Sequence, residues 1–425
     1  MSLRSSPRLG FVSNSPFFGG NEFFRQMLGD IIRMMPKAGS GIPWQISYQL
    51  ASEIAAGGGA DPNPDPLERI ALEQLSAIAE LHVSEITGMP VSPTGAGVRL
   101  VPTSRAEWAR RTLDSWRPVL DRLSAISEAA PPEGSTAPGV PSEDLETAVE
   151  SGEDRELLSL LGQWASALGP MMTAMQVGSI AGHMAERALG PYDVPLVAAP
   201  GSELLVVSAN LARMADDWSL PIDDLRLWLA IHEIAYHSVL SRQVVAERLA
   251  ALVVEHTARM TPDATDIEEL LSGADFSDPS SLAGLFGDPG ALAGAKREPS
   301  PEALKVRAEL DALCAAIAGY AEHVTSVAAA RVIGNQVPIG EAMRRRRIGR
   351  GEGEKVAERL FGLSLDQPLV DRGERFVTGV LDRSGDAELA MVWVEAQNFP
   401  TPSEVDAPGL WLARLNLPKE PGAGG

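Results

Sequence analysis

Apolar residues recur every three or four positions along most of the chain, which predicts helices as the dominant element. Residues 23–35 place Phe24, Met27, Leu28, Ile31, Ile32 and Met35 on one stripe. Ser104 precedes a run in which Trp108, Leu113, Trp116, Val119 and Leu120 keep helical spacing. Further helices are predicted over 42–55, 67–87, 145–167, 171–188, 242–260 and 301–332, with Gly88 and Pro90 ending the second. Strand-like runs are few and short. They are Val98 to Val101, Val194 to Ala198 and Leu204 to Ser208, and Pro195 assigns the second to a sheet edge. The pattern predicts a mainly α protein of the α+β kind, with a small β element around 194–208.

One helix has no polar face. From Asp223 to Leu240 the apolar residues Leu225, Leu227, Trp228, Leu229, Ala230, Ile231, Ile234, Ala235, Val239 and Leu240 point all round the axis, the mark of an interior helix. Pro221 fixes its approach, and Asp223 or Asp224 is placed to cap its free amides. This enclosed helix nevertheless carries His232, Glu233, Tyr236 and His237. Buried histidine and glutamate need partners or a metal, because a lone charge in the interior is costly.

The spacing of those four residues limits what they can do together. In the pattern H-E-x-x-H the two imidazoles lie at i and i+4, about 40° apart around the axis, and hold one zinc while the glutamate activates a water. This chain reads H-E-I-A-Y-H, so Tyr236 takes the second ligand position. His237, at i+5, lies about 140° from His232 at ~100° per residue, and an undistorted helix cannot bring both to one ion. Glu233 and His237 share a face, as do His232 and Tyr236. Zinc sites are built mainly from cysteine, histidine and carboxylate, so the residues alone leave both a metal site and a set of satisfied core polar groups open.

Composition narrows the function classes. With 36 Lys plus Arg against 57 Asp plus Glu the net charge is −21, which argues against a nucleic-acid partner. The run Arg344 to Arg347 reads as the solvated or salt-bridged end of a helix, although it has the chemistry to dock a phosphate. Cys314 is the only cysteine, so no intrachain disulfide can form, and its apolar neighbours make it a core residue. No uninterrupted apolar run of membrane-spanning length appears, no hydrophobic leader opens the sequence, and a cytoplasmic protein without a membrane partner is expected. The Pro, Gly and Ser-rich stretch 129–143 reads as a linker between an N-terminal helical lobe, 21–128, and a lobe 144–415 that holds the His232 helix. Flexible ends are expected at 1–20 and 416–425, and a connecting loop at 273–300.

Several passages together, from Phe18 to Leu415, carry a resemblance: PWQISYQLA, SRAEWARRTLDSW, ALGPYDVPL, SELLVVSANL, LPIDDLRLWLAIHE, AGYAEHV, RRRR and FPTPSEVDAPGLW. With these the chain resembles an actinobacterial family of zinc-dependent, metalloprotease-like proteins and provisionally assigned hydrolases, part of which is linked to deazaflavin coenzyme biosynthesis. The resemblance implies a zincin-like fold with a small β element beside the active-site helix. It also implies zinc held by His232, with Glu233 as the catalytic base and a peptide or protein as substrate. Tyr236 stands where complete members have the second histidine, and Ala318 where they carry a glutamate. Glu322, one turn on, is the substitute ligand, and Tyr236 or His237 would complete the local set. Two readings follow: a zincin-like metal-dependent hydrolase with a degenerate motif, or a non-catalytic binding or scaffold protein that retains the fold.

Overall fold

A computed structural model describes residues 41–57, 61–92, 95, 97–129, 170–171, 173–193, 201–260, 300–364 and 366–417. The N-terminal segment 1–20, the helices expected at 23–35 and 145–167, the linker beyond residue 129, the strand expected at Val194–Ala198, the loop 273–299 and the tail 418–425 lie outside these residues.

The described chain runs through α1 (Trp44–Ala56), α2 (Pro66–Thr87), β1 (Arg99–Thr103), α3 (Arg105–Ala129), α4 (residues 173–185), β2 (Glu203–Val207) and α5 (Ser208–Asp217). It continues through α6 (Ile222–Leu240), α7 (Gln243–Met260), α8 (Pro301–Val332), α9 (Val337–Ile348), α10 (Glu352–Phe361) and α11 (Gln367–Leu381), then short turns to Leu415. The protein is mainly α with a small β element, as the sequence pattern predicts. Local chemistry sets the helix ends. Asp65 accepts the Leu67 amide ahead of α2, whose first residue is Pro66, and Gly88 closes that helix in the left-handed conformation. Ser300 and Pro301 start α8 in the same way. For α6 the expected aspartate cap is absent: Pro221 is the cap residue without a side-chain bond, and Asp223 pairs instead with Arg226.

Among the described residues the β element is one parallel pair, with Leu100 opposite Leu204 and Thr103 opposite Val207. Its outward amides are used as well. The Leu100 amide donates to Ser76 Oγ on α2 at 2.8 Å, and the Val207 amide donates to the Leu189 carbonyl at 3.0 Å. An extra peptide strand would have to displace these bonds.

One hydrophobic cluster takes in residues from Ile42 to Leu412, on both sides of the 130–169 segment. At its centre α8 packs against α11, α6, α7 and α2. The α8–α11 crossing is a backbone contact: a Cβ added at Gly373 would lie 1.8 Å from the Ala315 carbonyl oxygen, and one at Gly319 2.1 Å from the Gly373 carbonyl carbon. Only glycine fits at either place. By length and composition α8 could cross a membrane, but 78% of its most apolar window is buried within the protein, as a core helix requires. Cys314 lies on α8, buried, and burial pushes its thiol up to about 12. His256 on α7 is buried beneath Gly362.

Candidate functional site

The site is built on α6, where every residue from Trp228 to Leu240 is buried. That enclosure comes from the all-round apolar surface of the helix, gripped by α2 and α8. The third wall is the loop 189–193, which four bonds, two to the loop and two to the residues just before it, hold in place. The β2 residue Val207 binds the Leu189 carbonyl, and Asn210 Nδ2 donates to the carbonyls of Ala185 and Ala188 at 2.8 and 2.7 Å. Trp108 Nε1 donates to the Gly190 carbonyl at 3.1 Å. The β element therefore serves the site by anchoring this loop.

The anchored loop closes on Glu233. A Cβ at Gly190 would lie 2.3 Å from the Glu233 carboxyl carbon, so only glycine allows the approach. The Tyr192 amide donates to Glu233 Oε2 at 3.3 Å, while Oε1 faces His232 Nδ1 at 3.1 Å. Both oxygens of the expected base are thus engaged with protein groups.

His232 sits between two carboxylates. Its Nδ1 meets Glu233, and its Nε2 lies 3.3 Å from Oε1 of Glu322 on α8. The ring stacks on Trp228, centroids 4.9 Å apart, and is tilted against Tyr236 at 4.8 Å. Burial alone would lower the imidazole pKa, but hydrogen bonds to Glu233 and Glu322 outweigh it and push the ring up to about 9. Glu322 is held below the carboxylate range: burial opposes its ionisation, and Arg347, with His232, overcomes that. Arg347 on α9 donates from Nη2 to Glu322 Oε1 and is itself largely buried. His232 and Arg347 thus converge on one oxygen of Glu322.

His237 is in another environment. Its Nδ1 is 2.6 Å from Tyr192 Oη, and Tyr192 stacks on Tyr236 with centroids 6.1 Å apart and an interplanar angle of 17°. Burial lowers its pKa to about 4, so the ring is neutral near neutrality. The structure therefore brings His232, Glu233, Tyr236 and Glu322 together and turns His237 away, as the helical angle requires. Ala318 is buried on α8 and supplies no donor. Sequence reasoning missed Tyr192, Trp228 and Arg347 as parts of the site.

The donor set does not fit the zinc that the fold family implies. Tyr236 offers a neutral phenol, which burial, then the charge of Glu322, pushes further from ionisation. Glu322 already carries a guanidinium, and both nitrogens of His232 face carboxylates. Zinc needs deprotonated nitrogen, sulfur or oxygen donors, commonly three or four from the protein. Among the described residues no group of three or more histidine, cysteine, aspartate or glutamate side chains is arranged to hold a metal ion.

Comparison with known proteins agrees with this fold. Residues 42–412 match the Zincin-like metallopeptidase family, and the chain belongs to it. A crystal structure from Chloroflexus aurantiacus, provisionally described as a hydrolase with a novel fold, is similar over 89% of this chain and 100% of that one. The TM-score is 0.59 and the identity 22%, a likeness of fold. No curated protein matches the chain.

Proposed function

We propose that this protein is a zincin-like metallopeptidase homologue that has given up zinc and peptide hydrolysis and keeps the fold as a non-catalytic binding protein. The observation that carries this reading is the guanidinium of Arg347 on Glu322, beside His232 and opposite Tyr236. A zinc ion at His232 would have to share Glu322 with a fixed cation. Coulomb repulsion in a buried setting and the loss of a hydrogen-bonded ion pair both oppose it. Glu233, with both oxygens engaged, has no position from which to activate water.

The second reading, a zinc-dependent hydrolase acting on a peptide or protein, is supported by the retained His232–Glu233 pair and by the carboxylate of Glu322 facing Nε2. In that reading His232 and Glu322 would hold the metal, which would supply Lewis-acid activation of a water, and Glu233 would be the base.

Elemental analysis of protein purified without added metal, followed by zinc calorimetry, separates the two. The first reading expects no stoichiometric zinc in the wild type or in Tyr236→His, and zinc uptake in Tyr236→His/Arg347→Leu, where a second imidazole is supplied and Glu322 released. Near-stoichiometric zinc in the wild type, lost in His232→Ala and accompanied by peptide hydrolysis that Glu233→Gln abolishes, establishes the second reading instead.

A further inference from the structure

The structure has a second built feature on the far side of the loop 189–193. A surface cavity of about 290 Å³ is bounded by α5, by α9 and by Arg187 and Leu189 in the turn that follows α4. Four guanidinium groups line it, those of Arg187, Arg213, Arg345 and Arg346, against one carboxylate, Asp217. In a chain of net charge −21 this is a local reversal of sign.

Their placement is enforced. Arg187 Nη2 donates to the Arg346 carbonyl at 3.4 Å, and Arg346 Nη2 donates to the Arg187 carbonyl at 2.9 Å, so two like charges are tied side by side. Arg213 donates to the Glu186 carbonyl and, at 3.2 Å, to Oδ1 of the buried Asn210, which also accepts Arg105 Nε at 2.7 Å. Glu354 and Glu341 offset Arg187 and Arg345 from outside the cavity wall. Beside the cluster Trp218 is 40% exposed, with Arg345 Cζ 5.7 Å from its ring centre. Trp218 closes the C-terminus of α5, where Ser219, with a φ of 51°, takes the left-handed cap position and the Leu220 amide donates to the Ala215 carbonyl at 2.8 Å.

We infer that this cavity binds a small phosphomonoester whose ring or apolar portion lies against Trp218 and Met214. Planar guanidinium forks match phosphate oxygens, the volume suits a small metabolite, and an exposed tryptophan beside fixed cations receives a flat group. The inference is independent of the zinc question. The site also touches it, because Arg346 in the wall precedes Arg347 on Glu322.

The test is calorimetry with phenyl phosphate as probe at physiological ionic strength, on the full chain. The expected result is one saturable site, weakened about tenfold by Arg213→Gln and several-fold by Trp218→Ala, and unchanged by Arg111→Gln on the exposed surface of α3. Inorganic phosphate is expected to bind more weakly than phenyl phosphate. Absence of saturable binding in the wild type overturns the proposal, as does equal affinity in Arg213→Gln. Tighter binding of a single-stranded RNA oligonucleotide than of phenyl phosphate overturns it in favour of a nucleic-acid site.

Discussion

Two histidines five residues apart on one helix have opposite fates. His232 faces two carboxylates and is held protonated up to about 9, whereas His237 faces a tyrosine hydroxyl and is held neutral down to about 4. Both rings are buried, so burial does not separate them. Partners do: charge-assisted hydrogen bonds outweigh desolvation on one face of α6 and are absent on the other. A buried histidine therefore says nothing about a metal until its neighbours are known.

The strongest way to break this contrast is to remove the cation on the ionic face. Arg347→Leu leaves Glu322 buried beside His232 alone, and the expected loss of stability is about 3–5 kcal/mol by urea denaturation. Glu322→Gln/Arg347→Leu should recover a large part of it. Equal destabilisation of the single and double variants would show that packing, not charge, is at stake.

The pH profile sharpens the comparison. His232 has its folded pKa above the unfolded value of 6.5, so its contribution is complete below 6.5 and is lost as pH rises toward about 9. His237 has its folded pKa below 6.5, so its contribution is present above 6.5 and is lost as pH falls toward about 4. Stability should peak near the middle, each arm falling by a few kcal/mol. His237→Gln is expected to flatten the acid arm between 6.5 and 4 and to leave the alkaline arm intact. Urea midpoints measured from pH 4 to 9.5 check both arms, and a variant that flattens the alkaline arm instead would reverse the assignment.

Smaller effects belong to the neutral face and the surface. Tyr192→Phe removes the hydroxyl from His237 Nδ1, and about 1–3 kcal/mol should be lost in thermal or urea unfolding. Arg345→Gln, two residues before Arg347, breaks an exposed pair with Glu341 and an exposed contact with the Trp218 ring, and should cost about 1 kcal/mol or less. A comparable loss at both arginines would contradict the distinction between buried and surface pairs.

The buried helix was legible because its apolar residues leave no polar face, and the separation of His237 from His232 followed from ~100° per residue. Glu322 was legible as a residue near His232. Arg347 was not, since four arginines in a row read as solvated charge. The signal was there all the same: Arg347 lies four residues after Met343 and eight after Ile339, both buried on α9, and so shares their inward stripe. Tyr192 sits in a loop with no period to place it. The partner of β2 was likewise hidden, because nothing in a run of four apolar residues names a strand 104 positions earlier.

That distance also sets a timetable for synthesis. A nascent chain grows at roughly 5–20 residues per second, so β1 leaves the ribosome about 5–20 s before β2 exists to pair with it. During that interval Leu100, fully enclosed in the finished protein, lacks β2 and has the side of α2 that offers Ser76 to shelter against. The helix α1 can meet α3 without waiting, since both lie ahead of residue 130. The ladder that later pins Leu189, and through it the wall around Glu233, thus forms after the contact of α1 with α3 and before α8 and α11 exist to complete the core. Slow translation beyond residue 130 prolongs the exposure of a half-made edge, the kind of surface on which nascent chains associate with one another.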